Sequence, residues 1–134
     1  MNTQSPFGEV IYAYTRAQAI EDGVLVDVSK VAREAGIGVP VAVTRELWTR
    51  YVEVPKGCEG LQDESGRIWD VVYMLRHAIR TSRTATDSLL YKISCVTRVS
   101  QRGRMVHEDV TLKSVCGPGD NAEPVITIML PEED

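Results

Sequence analysis

The segment RIWDVVYMLRHAIRT, residues 67–81, is the longest part of the chain with helical periodicity. Its apolar residues recur at steps of three and four, the spacing of the buried face of an amphipathic helix. They are Ile68, Val71, Val72, Leu75 and Ile79. The segment therefore predicts one long amphipathic helix over about 67–81, with this stripe in the core.

The period changes from helical to extended after residue 87. Segments 89–98, 105–116 and 123–130 have the alternation and β-branched content of strands, and turn formers at 101–103 and 117–121 separate them. These features predict a C-terminal three-stranded antiparallel meander. Both alternating sets of the last segment are fairly apolar, which is typical of a central or covered strand.

The N-terminal half contains three short steps from an extended piece to a helix. Each extended piece ends at a Ser or Thr that can cap the following helix. The extended pieces are 10–14, 24–28 and 39–43, and the capping residues are Thr15, Ser29 and Thr44. Together with the long helix and the meander, these steps predict an α+β fold.

The chain of 134 residues, with 43% hydrophobic and 25% charged side chains, has the composition of one soluble globular domain. We predict a single domain over 1–134, with a surface loop at 54–66 and an acidic tail at 131–134. The first six residues lack the basic and apolar regions of a signal peptide, and no apolar run is long enough to cross a bilayer. We therefore expect a cytoplasmic protein with no membrane partner.

Metal binding, cofactor binding and catalysis have little support in the sequence. Cys58, Cys95 and Cys116 and the two histidines lack the short ligand spacings of zinc sites, so we expect no metal and no cofactor. His77 has no nearby nucleophile or orienting carboxylate in a triad-like arrangement, so no catalytic residue is assigned. Whether the protein is an enzyme stays open, and the balance favours binding.

Charge is unevenly distributed within the net −4 of the whole chain. Residues 67–104 carry eight Lys or Arg against two Asp or Glu, whereas the segments before and after them are acidic. The overall acidity argues against nucleic acid as a partner. The basic segment indicates either a local anion site or a solvated helix face neutralised by acidic neighbours, and both interpretations remain open.

The large aromatic residues lie almost entirely in the first 73 residues, and most carry a polar group at the ring edge. Beside the helix arginines they could stack on a base or anchor a protein partner. Equally, they could fill the seam between the long helix and the sheet. The candidate ligand-binding or partner-binding residues are Tyr14, Trp69, Tyr73, Arg76, His77 and Arg80.

Four segments of the chain, at 11–28, 68–75, 110–120 and 124–131, resemble a family of uncharacterised small proteins. Members of that family occur on bacterial plasmids, integrative elements and phages. The resemblance does not assign an activity or catalytic residues to the chain. It implies a context, since small acidic accessory proteins of mobile elements often act around host defence by binding.

Two main hypotheses for function result from these observations, and a third, nucleic-acid binding through the basic segment 67–104, is disfavoured by the overall acidity. The first is a cytoplasmic accessory protein of a mobile genetic element that binds a host protein or defence complex, as an anti-CRISPR or anti-restriction inhibitor. The alternative is a small enzyme or nucleotide-binding protein with an Arg/aromatic cleft for a phosphate-bearing ligand. The oligomeric state stays open, including a homodimer.

Overall fold

The structure is a computed structural model that describes residues 14–83 and 86–133. Within these ranges the helices and strands alternate in the first half, and three strands close the chain. The helices are α1 (Arg16–Glu21), α2 (Ser29–Glu34), α3 (Arg45–Leu47) and α4 (Glu64–Thr81), and a π-helical turn (Trp48–Val52) continues α3. The strands are β1 (Leu25–Asp27), β2 (Val41–Thr44), β3 (Ser88–Val99), β4 (Met105–Pro118) and β5 (Pro124–Met129).

All five strands belong to one mixed sheet with the order β1-β2-β5-β4-β3. The predicted α+β class is confirmed. β3, β4 and β5 pair antiparallel in chain order, but the predicted three-stranded antiparallel meander is wrong as an account of the sheet, which has five strands and is mixed. β5 also pairs parallel with β2, with Val43 opposite Ile128. Val41, Ala42 and Val43 of β2 are fully buried, and parallel pairing is typical of strands that are covered on both faces.

β5 occupies the centre of the sheet, as the apolar character of both its faces predicts. Ile126 and Ile128 are buried among the residues of the main core, which lies between the sheet and the helices α2 and α4. Val125 and Met129, which alternate with them, are also buried. Both faces of β5 are therefore covered.

α4 begins at Glu64, three residues before the predicted start at 67. The Asp63 carboxylate caps it by accepting a hydrogen bond from the Gly66 amide at 2.7 Å, so the end of the predicted loop at 54–66 is helical. Four residues of the apolar stripe are buried in the core, but Ile79 is 43% exposed. The last turn of α4 therefore extends beyond the packed core.

The caps of the short N-terminal helices were predicted correctly at two of three positions. Thr15 forms a capping box with Gln18 at the start of α1, and the Thr44 hydroxyl accepts from the Leu47 amide. Ser29 is the exception, because its hydroxyl donates to Asp27 and the helix starts at Ser29 itself. The predicted extended piece at 10–14 lies, except for its last residue, outside the described residues.

The turn between β4 and β5 holds the start of α1. The Asp120 carboxylate accepts hydrogen bonds from the backbone amides of Arg16 and Ala17, at 2.8 and 3.0 Å. Arg16 in turn donates to the Thr127 hydroxyl and the Ile126 carbonyl, both at 2.7 Å. Partial burial lowers the pKa of Arg16, and nearby carboxylates oppose that change. α1 is thus anchored to the centre of the sheet.

Replacing Asp120 with Ala is expected to lower the free energy of unfolding by about 1–2 kcal/mol, because two amides at a helix start lose a charged acceptor. Thermal unfolding followed by circular dichroism measures the change. Asn121→Ala is the matched control, since that side chain lies in the same turn and makes no hydrogen bond within the described residues. Equal losses in the two variants would contradict a specific role for the Asp120 carboxylate.

The chain end described by the structure folds back on the sheet. One oxygen of the Glu133 carboxylate accepts from the Thr44 hydroxyl at 2.7 Å and from the Leu130 amide at 2.8 Å. The tail at 131–133 is therefore attached rather than freely solvated. Among the described residues, no helix combines the length and the apolar character that a membrane span requires.

Candidate functional site

A cavity of about 580 Å³ opens beside the C-terminal half of α4. The connection between α2 and β2 forms one wall, and the starts of β3 and β5 with the end of β4 form another. This volume is in the range of small-molecule sites, which are mostly apolar with a few polar groups. Its apolar lining comprises Ile37, Val39, Ile79, Leu89 and Ile126. The exposure of Ile79 is explained by its place on this wall.

Arg76 and Arg80 supply positive charge to the cavity wall. They lie one turn apart on α4, so their side chains project from the same face of the helix. Neither guanidinium has an ion pair or hydrogen bond with any residue in 14–83 or 86–133. Unpaired guanidinium groups at a cavity are suited to carboxylate or phosphate groups, which accept their N–H donors two at a time.

Gly36 positions the Arg76 side chain. The residue follows α2 with φ of 98°, a left-handed conformation that ends a helix and favours glycine. A Cβ atom at Gly36 would lie 2.4 Å from Arg76 Nε, closer than atoms can approach. The arginine therefore packs against the bare backbone of Gly36, and a side chain at this position would make the guanidinium move.

Ser114 is a buried polar residue in the same cavity. It is 5% exposed, on the core side of β4 in line with Val110 and Leu112. Within the described residues its hydroxyl has no hydrogen-bond partner. Buried hydroxyl groups are nearly always paired, so a lone one facing a cavity indicates a place for a bound polar group.

Asp87 and Cys116 also belong to the polar lining, together with Ser82 and Thr86. The Asp87 carbonyl accepts from the Cys116 amide at 2.7 Å, and this bond holds the start of β3 against the end of β4. The Asp87 carboxylate is exposed and, within the described ranges, has no hydrogen bond or ion pair. The cavity therefore has one acidic group opposite its basic ones.

The structure does not bring the six predicted site residues together. Arg76 and Arg80 line the cavity, whereas Trp69 borders a different groove, between α2 and α4. Tyr73 stacks on Trp69 with the ring centroids 5.8 Å apart. These two rings are 48% and 36% exposed, so they lie on the surface of α4 and not in the seam between helix and sheet.

The other two predicted residues lie apart from the cavity. Tyr14 is exposed and donates a hydrogen bond to the Asp22 carboxylate at 2.7 Å, and this bond raises the pKa of Tyr14. His77 is exposed on α4 and belongs to none of the described cavity linings. The predicted Arg/aromatic cleft is therefore, in the structure, an arginine cavity and a separate aromatic surface.

Arg67, the first basic residue of the predicted anion segment, is not at the surface but 5% exposed. Its Nε donates to the Tyr51 carbonyl at 3.0 Å, one terminal nitrogen donates to the Val96 carbonyl at 2.9 Å, and the other lies 3.2 Å from Cys95 Sγ. Burial raises the pKa of Cys95, and Arg67 opposes that rise. This arginine joins the π-helical turn to β3 and is not available to a ligand.

Desolvation also raises the pKa of two other groups, one on α4 and one packed against it. Asp70 on α4 has a raised pKa although its side chain reaches the surface, and the Arg67 charge opposes the rise. Tyr91 is buried in the core, where its hydroxyl donates to the Val71 carbonyl at 2.9 Å. Across residues 14–83 and 86–133, no group of three or more His, Cys, Asp or Glu is arranged to hold a metal ion.

A family model described as a family of unknown function, DUF6573, matches residues 1–134. The chain belongs to DUF6573. The predicted resemblance to an uncharacterised family is thereby confirmed for the whole length of this DUF6573 chain. Neither the curated proteins nor the solved structures contain a match to it.

Proposed function

We propose that this protein binds a small phosphate-bearing molecule in the cavity beside α4. The observation that carries the proposal is the pair of arginines, Arg76 and Arg80, which line a mostly apolar cavity of about 580 Å³ without a carboxylate partner in the described residues. A phosphate provides the acceptors that two guanidinium forks require. The apolar lining then takes the body of the ligand.

The proposed role is binding and not turnover. A general base must lie within hydrogen-bond reach of the reacting group, and histidine is the residue that most often serves. The described lining of the cavity includes neither His77 nor His107. What the cavity presents instead is two arginines, the exposed Asp87 carboxylate, one buried hydroxyl and apolar surface, the features of a site that selects and holds a ligand.

Ribose 5-phosphate and the four common ribonucleoside monophosphates are suitable probes for this site. We expect at least one of them to raise Tm, because a ligand at about 100 times its Kd adds about 2.7 kcal/mol to the stability of the folded state. The double variant Arg76→Met, Arg80→Met should weaken binding at least tenfold in isothermal titration calorimetry, at about 1.4 kcal/mol per tenfold change.

The control for that experiment is the double variant Arg98→Met, Arg102→Met. It removes the same charge from β3 and from the β3–β4 turn, away from the cavity. If both double variants weaken binding equally, only net charge matters and the cavity is not the site. No stabilisation by any probe at millimolar concentration contradicts the proposal.

A second candidate function rests on the exposed aromatic pair of α4, Trp69 and Tyr73. Stacked, half-exposed Trp and Tyr side chains are the residue types that dominate protein-binding hot spots. We propose this aromatic pair as the contact surface of a cytoplasmic protein inhibitor. In that role the chain serves a mobile genetic element, such as a plasmid or phage, against a CRISPR or restriction system of the host.

Establishment of a plasmid in cells with and without a restriction or CRISPR system tests the second candidate. We expect the protein to raise plasmid establishment only in cells that have the defence system. The double variant Trp69→Ala, Tyr73→Ala should reduce that gain at least tenfold, since a pair of hot-spot residues contributes about 2 kcal/mol or more to binding. Leu61→Ala, at a 65% exposed apolar residue, is the control. Equal establishment in both cell types contradicts this function.

A further inference from the structure

We propose that the phosphate-bearing ligand of the cavity is a ribonucleoside monophosphate, with its phosphate on Arg76 and Arg80, its ribose on Asp87 and its base edge on Ser114. This inference rests on the proposed function and adds the chemical class of the ligand. It depends on two other polar groups of the lining, the Asp87 carboxylate and the buried Ser114 hydroxyl.

The phosphate position is set by the arginines. Arg76 packs on Gly36 at the α2–β2 wall, and Arg80 follows one turn later on α4. A terminal phosphate carries close to two negative charges at neutral pH and three acceptor oxygens, so it can engage both guanidinium groups at once. A single carboxylate offers them one negative charge and two acceptor oxygens, so the phosphate is the better match for two guanidinium groups.

The Asp87 carboxylate indicates what is attached to the phosphate. An acidic group in a cavity for an anion repels that anion unless the ligand offers it hydrogen-bond donors. Asp87 has no donor from the described residues, so its carboxylate oxygens are available to a ligand. Ribose hydroxyl groups are such donors, and nucleotide-binding folds use an acidic side chain to accept from them.

The Ser114 hydroxyl and the apolar walls indicate the third part of the ligand. A nucleobase is apolar on its faces and polar along its edges, so it pairs stacking surface with hydrogen bonds. The walls at Leu89 and Ile126 offer apolar surface in the same cavity as the buried Ser114 hydroxyl. A serine hydroxyl both donates and accepts, so it can meet either kind of base-edge group. An aliphatic anion would leave that buried hydroxyl unpaired.

Titration calorimetry with the full chain tests this assignment. The probes are AMP, GMP, CMP and UMP, their 2′-deoxy forms, ribose 5-phosphate and glycerol 3-phosphate. We expect one ribonucleotide to bind at least tenfold more tightly than ribose 5-phosphate and at least fivefold more tightly than its deoxy form. Asp87→Asn should remove the preference for ribose over deoxyribose, and Ser114→Ala should reduce affinity for the nucleotide at least fivefold.

Asp109→Asn is the matched control for the charge change, since Asp109 is exposed on β4 away from this cavity. It should keep the preference for ribose. Both site variants should fold, because the Asp87 side chain is exposed and alanine suits the apolar surroundings of Ser114. Their Tm values without ligand, within about 3 °C of the wild type, check this.

Failure of this inference differs from failure of the proposed function. Suppose that ribose 5-phosphate or glycerol 3-phosphate binds as tightly as every nucleotide, and that binding is still lost in Arg76→Met, Arg80→Met. The phosphate site then stands, but the assignment of the ligand as a nucleotide is wrong. If the double arginine variant binds nucleotides as tightly as the wild type does, both the proposed phosphate site and the nucleotide assignment are wrong. Tighter binding of a 5′-phosphorylated oligoribonucleotide than of any mononucleotide also overturns the assignment to a free mononucleotide.

Discussion

Replacing Arg67 with Met is expected to lower the free energy of unfolding by about 2–4 kcal/mol, and Tm by about 8–12 °C, the largest effect of any single change proposed for this chain. The buried guanidinium donates to the carbonyls of Tyr51 and Val96. Methionine fills similar space but has no donors, so both carbonyls would lose their partner in a water-poor environment.

Two further variants make the Arg67 prediction specific. Arg67→Lys keeps the charge but cannot present a planar fork to several acceptors, so it should recover only part of the loss. Arg98→Met removes an exposed arginine of β3 that has no partner in the described residues, and its effect should stay within about 0.5 kcal/mol. Denaturant unfolding gives the free energies. A loss for Arg67→Met as small as that for Arg98→Met would mean that water replaces the guanidinium.

Replacing Gly36 with Ala is expected to lower the free energy of unfolding by about 2 kcal/mol and also to weaken ligand binding. The left-handed φ of 98° is unfavourable for alanine, and the new Cβ would displace Arg76. Both costs come from one methyl group, but they affect different measurements. Thermal unfolding measures the cost of the backbone strain. Calorimetry with the tightest-binding nucleotide measures the affinity lost when the Arg76 side chain is displaced.

Gly38 provides the matched control for Gly36, because it lines the same wall without a left-handed φ and has no atom within 4 Å of an added Cβ. Gly38→Ala should leave Tm unchanged or slightly higher, since alanine restricts the unfolded chain. If Gly36→Ala binds the nucleotide as tightly as Gly38→Ala does, the position of Arg76 does not depend on the glycine.

Sequence periodicity predicted the local structure better than the pairing of strands. The apolar stripe of α4 and the alternation of β3 and β4 are local signals, so the bounds of all three elements were predicted to within a few residues. The parallel pairing of β2 with β5 joins Val43 to Ile128, and no local feature specifies such a partner. The two apolar faces of β5 indicated that other elements cover the strand. They did not indicate which strand pairs with its second edge.

The site was predictable where it depends on helical spacing. Arg76 and Arg80 share a helix face by their spacing alone, and both line the cavity. Ser114 could have been predicted as a site residue, because it is a polar residue in the inward-facing series of β4 with Val110 and Leu112. Arg67 gave none, because a buried arginine and an exposed one look alike until tertiary contacts are known.

The parallel contact between β2 and β5 has a consequence for the way the chain folds. Val43 meets Ile128 only after most of the chain has been synthesised, and closing so long a loop early in folding is entropically costly. Until β5 arrives, the apolar edge of β2 lacks its partner and can pair with another chain. Folding is therefore expected to be slow, and aggregation during synthesis is expected to begin at β2.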